Sequence, residues 1–255
     1  MRKIWALGLC LVMICALPVA GRSRTLSGLP RQKKILVEGK SVTVRYLLYL
    51  PGSYSSNERK KWPLILFLHG STEKGSDVQI VKRSGLPAYL EQLRGFPFIV
   101  ISPQLDADQE RWDPTEIKML LDAVLPGLRV DRDRIYLTGW SLGANGVWRM
   151  AIKYPYLFAA IAPIAGWGDT NGAKALKNTP TWVFHGAKDT NVPPGESSSM
   201  VEALRKEGAK VRFTLYPDLD HECWMLTYQN DKLYDWFLQH RRIRAGQRPQ
   251  GSNRT

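Results

Sequence analysis

A chain of 255 residues with 44% hydrophobic residues is long enough for one large domain or two small ones, and no Pro- or Ser-rich linker, internal repeat or low-complexity stretch divides it. Its net charge of +13 suggests a nucleic-acid binder, but the distribution argues against one: residues 1–34 hold seven Lys or Arg, residues 241–255 hold five Arg, and neither segment has an acidic residue. The intervening body holds 24 basic against 23 acidic residues and no nucleic-acid motif, so the basic ends read as solvated tails that could rest against anionic envelope surfaces.

The chain starts with the basic "MRK" and an uncharged apolar run over residues 4–20. This is the pattern of a secretory signal peptide over residues 1–21, with small residues at Val19, Ala20 and Gly21 permitting cleavage. The rival reading is an uncleaved membrane anchor, since the run approaches the minimum length of a span; Pro18 and the small residues after it favour cleavage. Cys10 and Cys15 would leave with the leader, and Cys223 alone cannot form an internal disulfide, so stability must come from the core. The expected location is therefore secreted or periplasmic, with no stable membrane insertion after cleavage. The expected organisation is a leader at 1–21, a basic tail at 22–33, one domain at 34–240 and a second basic tail at 241–255.

Within the body, "KKILVEG" and "SVTVRYLLYLP" read as two strands joined by a turn at Glu38, Gly39 and Lys40. "WPLILFLHG" is a continuous apolar run ending in glycine, as expected of a strand buried on both faces, and "FPFIVISPQ" is another, from residue 96 to residue 103. "PTEIKMLLDAVLPGL" has helical spacing with Pro114 in its first turn. "DRIYLTGW" is a third buried strand, followed by the helical "LGANGVWRMAIKYP", which stops at Pro155. Then come the strand "FAAIAPIAG", the strand and loop "TPTWVFHGAKD", the helix "GESSSMVEALRKEG", the strand "KVRFTLYP" and a last helix in "WMLTYQNDKLYDWFLQHR". Alternation of this kind predicts an α/β fold, a mostly parallel central sheet with helices on both faces, whose ligands gather at the carboxyl ends of the strands. Those ends carry "HGSTEKG", "GWSLG", "HGAKDTNVP" and "DLDHECW".

The pattern Gly139-Trp140-Ser141-Leu142-Gly143 lies between a buried strand and a helix. A serine on so sharp a turn needs small residues two before and two after it, and the helix behind it favours developing negative charge. Its hydroxyl still requires a base. Of the four histidines, His240 ends the final helix, His69 precedes the serine and His185 precedes the candidate acid, which leaves His221 as the base. Asp189, four residues after "FHG", leads as the acid; Asp218 and Asp220 are rivals by proximity and Asp169 is a weaker one. The N–H groups of Leu142 and Ser71 are the expected oxyanion donors.

With "PLILFLHGSTEKG", "GWSLGANGVWRMAIKYPYLFAAIAPIAG", "WVFHGAKDTNVP" and "HECW" in view, residues 42–237 resemble the α/β-hydrolases, in particular secreted esterases and predicted peptidases near the dienelactone-hydrolase and phospholipase/carboxylesterase groups. The resemblance implies Ser141, Asp189 and His221 as a triad, with the Ser71 and Leu142 amides as the oxyanion hole.

Only about fifteen residues separate the strand "FAAIAPIAG" from the next strand near Thr181, too few for a large cap domain, so an open site is expected. Trp112, Trp140, Trp167 and Trp224 fall in or beside strand-end segments and are candidates to line it, Trp140 and Trp167 above the others. No histidine pair has the spacing of a metal site, and neither metal nor cofactor is expected. The leading reading is a serine esterase acting on a small-molecule or polymer-linked ester through an acyl-enzyme. A peptidase with the same residues is the second, and a non-catalytic binding protein of the same fold is the third, disfavoured by the intact serine, acid and histidine.

Overall fold

The computed structural model describes residues 29–37, 40–56, 58–93 and 95–242, with side chains from residue 41 onward. The expected leader, the 38–39 turn and most of both basic tails lie outside the described residues. An eight-stranded sheet carries the fold: β1 (Leu29–Val37), β2 (Lys40–Tyr49), β3 (Trp62–Leu68), β4 (Ile99–Pro103), β5 (Val130–Trp140), β6 (Ala160–Ile164), β7 (Thr181–Gly186) and β8 (Val211–Tyr216), in the order β1-β2-β4-β3-β5-β6-β7-β8. β2 is antiparallel to β1 and β4, and all other pairs are parallel. β1 starts at Leu29, inside the stretch read as tail, because β2 is long enough to pair with it: Leu29 faces Leu48 and Val37 faces Lys40.

Among the described residues six helices flank the sheet: α1 (Gly85–Leu90), α2 (Pro114–Val124), α3 (Leu142–Lys153), α4 (Pro194–Lys206), α5 (Trp224–Tyr228) and α6 (Asp231–Leu238). Every residue of β3 is buried, and its alternation divides the core into two layers. Leu64, Leu66 and Leu68 pack with Leu120, Val147 and Met200 from α2, α3 and α4. Ile65 and Phe67 pack on the other face with Leu86, Tyr228 and Phe237 from α1, α5 and α6. α2 begins where the sequence signals it, with the Asp113 carboxylate accepting the Thr115 N–H at 2.8 Å and Pro114 in the first turn.

Three elements depart from the sequence reading. β4 starts at Ile99 rather than residue 96, because Pro97 has no N–H to give a ladder. The last helix divides into α5 and α6, with the Asn230 side chain accepting the Lys232 N–H and starting a new helix. α1 and the 3-10 turns before it were not expected, since a six-residue helix holding Pro87 has too little periodicity to read. Among the described residues no helix is long and apolar enough to cross a membrane.

The strand order places the site. β3 sits between β4 and β5, so the chain reverses direction across the sheet there, and the carboxyl ends of β3 and β5 lie side by side with Leu68 paired to Gly139. The crevice at such a reversal is where an open parallel sheet holds ligands.

Candidate active site

Ser141 ends β5 and opens α3 with φ 55° and ψ −121°, a left-handed conformation that costs a non-glycine residue of order 1–3 kcal/mol. Both sides hold it there: its N–H donates to Ile164 O at 2.9 Å, and its C=O accepts the Asn145 N–H at 3.1 Å. The turn is tight enough to dictate glycine at 143, where a Cβ would lie 2.0 Å from Leu68 O. As the first helical residue, Leu142 has an N–H with no intrahelical acceptor. It lines the cleft together with Ser71.

β7 and the segment after β8 bring the other two residues. Asp189 is 5% exposed, and its carboxylate accepts four N–H groups. Oδ1 takes the backbone N–H of Asn191 and of Val192, both at 2.9 Å. Oδ2 faces His221 Nδ1 at 2.8 Å and His185 Nε2 at 3.0 Å. A carboxylate only accepts, so the His221 proton sits on Nδ1. Its Nε2 is then the acceptor for the Ser141 hydroxyl, 2.9 Å away. The structure thus brings Ser141, His221 and Asp189 into one hydrogen-bonded line. The rival acids are committed elsewhere: Asp218 pairs with Lys188 at 3.0 Å, Asp220 accepts the Glu222 N–H and Asp169 accepts the Asn171 N–H.

Gly186, the last residue of β7, sets the distance between Asp189 and His221. A Cβ there would lie 2.1 Å from Asp220 O and 2.4 Å from Leu219 O, so the His221 loop lies directly on the strand end. Gly186→Ala must push that loop outward. The expected result is a loss of about 100-fold or more in turnover, since misplacement of about 1 Å costs that much. Unchanged turnover in the folded variant would contradict this account of the contact.

The cleft over these residues has a volume of about 610 Å³. Trp140 and Trp167 line it, and Trp140 also tilts against the His221 ring at 5.7 Å between centroids. Trp112 does not line the cleft, contrary to the sequence expectation. It is 2% exposed, donates its indole N–H to His69 O at 3.3 Å and packs edge-on against the His69 ring. Trp224 lies behind Trp140, 5.5 Å between ring centroids. Polar cleft residues that the sequence reading does not single out include Lys74, Glu110, Asn191 and Glu196. Lys74 and Asn191 lie within the strand-end loops "HGSTEKG" and "HGAKDTNVP", Glu196 lies just beyond the second, and Glu110 lies outside the strand-end segments, so chain position is the one signal that points to the first three. Between β6 and β7 there is a single short 3-10 segment, Thr170–Leu176, and no cap.

His69 supports the Ser71 loop from beneath. Its Nε2 accepts the Leu105 N–H at 3.0 Å, so Nδ1 carries the proton and donates to Gly70 O at 2.6 Å. Burial drives its pKa down from 6.5 to about 4, and burial moves His185 in the same direction. In the unfolded chain His69 binds a proton near pH 6.5, whereas the native state refuses it until about pH 4. Stability is therefore fully present above about pH 6.5 and falls as the pH drops toward 4, by about 3 kcal/mol for His69 alone. Urea unfolding of wild type and His69→Gln between pH 7.5 and 4.5 checks this. The wild type should lose more stability than the variant, and equal losses would contradict it.

Comparison with known proteins adds four findings. The family model described as "Prolyl oligopeptidase family" matches residues 169–243. Poly(3-hydroxyalkanoate) depolymerase C of Paucimonas lemoignei is 26% identical over 204 residues, covering 62% of this chain and 46% of that protein. The chain thus spans under half the length of that curated relative. Among solved structures, one titled as a thermostable esterase superposes with a TM-score of 0.71 at 28% identity, over 85% of this chain and 64% of that one. A ferulic acid esterase superposes with a TM-score of 0.63 at 15% identity, over 84% and 97% of the two chains. The chain has the α/β-hydrolase fold. The prolyl oligopeptidase match contains Asp189 and His221 and begins after Ser141.

Proposed function

We propose that the protein is a serine hydrolase that cleaves carboxylic esters through an acyl-enzyme on Ser141. The observation that carries this reading is the line of contacts from Ser141 Oγ to His221 Nε2 at 2.9 Å and from His221 Nδ1 to Asp189 Oδ2 at 2.8 Å, beneath a cleft. In the proposed first half-reaction Ser141 Oγ attacks the ester carbonyl carbon while its proton passes to His221 Nε2. The carbonyl oxygen gains the negative charge, and the N–H groups of Leu142 and Ser71 receive it. The intermediate collapses, the acyl–oxygen bond breaks, and the leaving alkoxide takes the proton from His221. Water then enters, gives a proton to His221 and attacks the acyl carbon, and the acid leaves as Ser141 recovers its proton. Asp189 holds the imidazole tautomer and offsets its positive charge.

The uncapped cleft and its Trp140 and Trp167 wall support ester groups that are bulky, apolar or aromatic. The esterase and depolymerase relatives support ester over amide chemistry. A peptidase is the second reading, favoured by the prolyl oligopeptidase match over the segment holding Asp189 and His221. The leader pattern in residues 1–21 supports export, which sequencing the amino terminus of the protein recovered from its host would test. The decisive assay for substrate class is a parallel panel of chromogenic acyl esters, phenolic-acid esters and peptide anilides. Ester turnover should dominate; dominance of anilides would transfer the assignment to peptidase.

A further inference from the structure

No step above uses His185, yet it is fully buried on β7 and contacts the same carboxylate oxygen as His221. Its Nε2 faces two acceptors, Asp189 Oδ2 at 3.0 Å and Val192 O at 2.9 Å, so the proton must be on that nitrogen. Its Nδ1 lies 2.7 Å from Ser197 Oγ in α4. Ser197 is 1% exposed and also lies 3.2 Å from Gly166 O, but a hydroxyl has one proton. With His185 neutral, that proton goes to Nδ1. A continuous chain of contacts therefore runs from Ser197 through His185, Asp189 and His221 to Ser141, none longer than 3.0 Å.

We propose that His185 is a positioning residue for the reaction, fixing the orientation of Asp189 and, by donating to Oδ2, tempering the pull of that carboxylate on the His221 proton. The inference rests on the esterase reading above. Ser197 acts one contact further out: its hydroxyl selects the His185 tautomer whose N–H faces Asp189. Burial keeps His185 uncharged, so it supplies a dipole to Oδ2 and not a competing cation. The other ionisable groups around Asp189 are His221 and the Cys223 thiol, whose deprotonation burial pushes up to about 12 and which Asp220 also faces.

The test compares His185→Phe, which keeps the ring volume without a donor, with His185→Gln, whose amide N–H can occupy the Nε2 position. In His185→Phe one donor to Oδ2 is lost, and the carboxylate holds the His221 proton more strongly. The acid limb of kcat/KM should move up by about half a pH unit or more. By analogy with other groups that orient a reacting side chain, kcat should fall about 10- to 100-fold with KM little changed. His185→Gln should recover most of both. Should His185→Phe fail to fold, Ser197→Ala should move the limb in the same direction by less. A folded His185→Phe, or failing that Ser197→Ala, that lowers Tm while leaving kcat and the acid limb as in wild type would reduce His185 to a packing residue and overturn the proposal. The low-field proton resonance of His221 Nδ1–H provides a readout that needs no turnover. If no ester is hydrolysed by any form, the esterase reading fails on its own, and a resonance unmoved between wild type and His185→Phe would overturn the His185 assignment separately.

Discussion

Ser141→Ala should lower kcat by about 10⁶-fold, roughly 8 kcal/mol of transition-state stabilisation, while leaving KM for an ester close to the wild-type value. The magnitude is that expected when the nucleophile of a mutually dependent group is removed. What survives is the catalysis that binding and the oxyanion amides supply by themselves. The substitution should not destabilise the fold. Alanine removes a hydroxyl that hydrogen-bonds His221 Nε2, and the left-handed backbone at 141 is imposed by Gly143 and by the bonds to Ile164 O and Asn145 N–H. Steady-state turnover with a chromogenic ester, alongside Tm, checks both halves. A variant that loses turnover only in proportion to lost folded protein would contradict the assignment.

Asp189→Asn should cost about 10⁴-fold in kcat, again with the fold retained. The surroundings dictate which way the new amide points. Two backbone N–H groups, of Asn191 and Val192, require an oxygen at the Oδ1 position, so the amide NH₂ is forced into the Oδ2 position. There it meets the N–H of His221 and the N–H of His185, two donors facing a third. The His221 ring escapes the conflict by moving its proton to Nε2, the atom that should accept from Ser141. The base is then lost although no atom has left the site. A kcat within tenfold of wild type would show that Asp189 does not orient His221.

These two predictions rest on residues that were legible for different reasons. Ser141 could be read because its turn needs glycine at 139 and 143 for steric reasons, and such a need is visible in one dimension. His221 could be read by elimination among four histidines. Asp189 stands apart from Asp218 and Asp220 because neighbours in the histidine's own short loop usually cannot reach its far ring nitrogen. In the structure those two instead hold Lys188 and cap Glu222. The sheet is legible because β3 and β4 are nearly continuous apolar runs, Ser102 being the one polar residue in them, as burial on both faces requires. Chain order does not encode which way a side chain turns from a strand end. Trp112 and Trp140 both stand beside predicted cleft segments, yet one packs against His69 and the other borders the cleft. His185 precedes the acid in sequence, so chain order gives it no role. Its contact with Asp189 arises from the four-residue turn after β7 and from α4 packing over it, and neither has a sequence signature.

The central claim is that Ser141 is the nucleophile that carries the acyl group. The measurement that tests it most directly is the intact mass of the protein after reaction with a fluorophosphonate, followed by peptide mapping. The account predicts one adduct per chain, located at Ser141, absent from Ser141→Ala and strongly slowed in His221→Ala. An unmodified wild type, or an adduct that persists in Ser141→Ala, would contradict it.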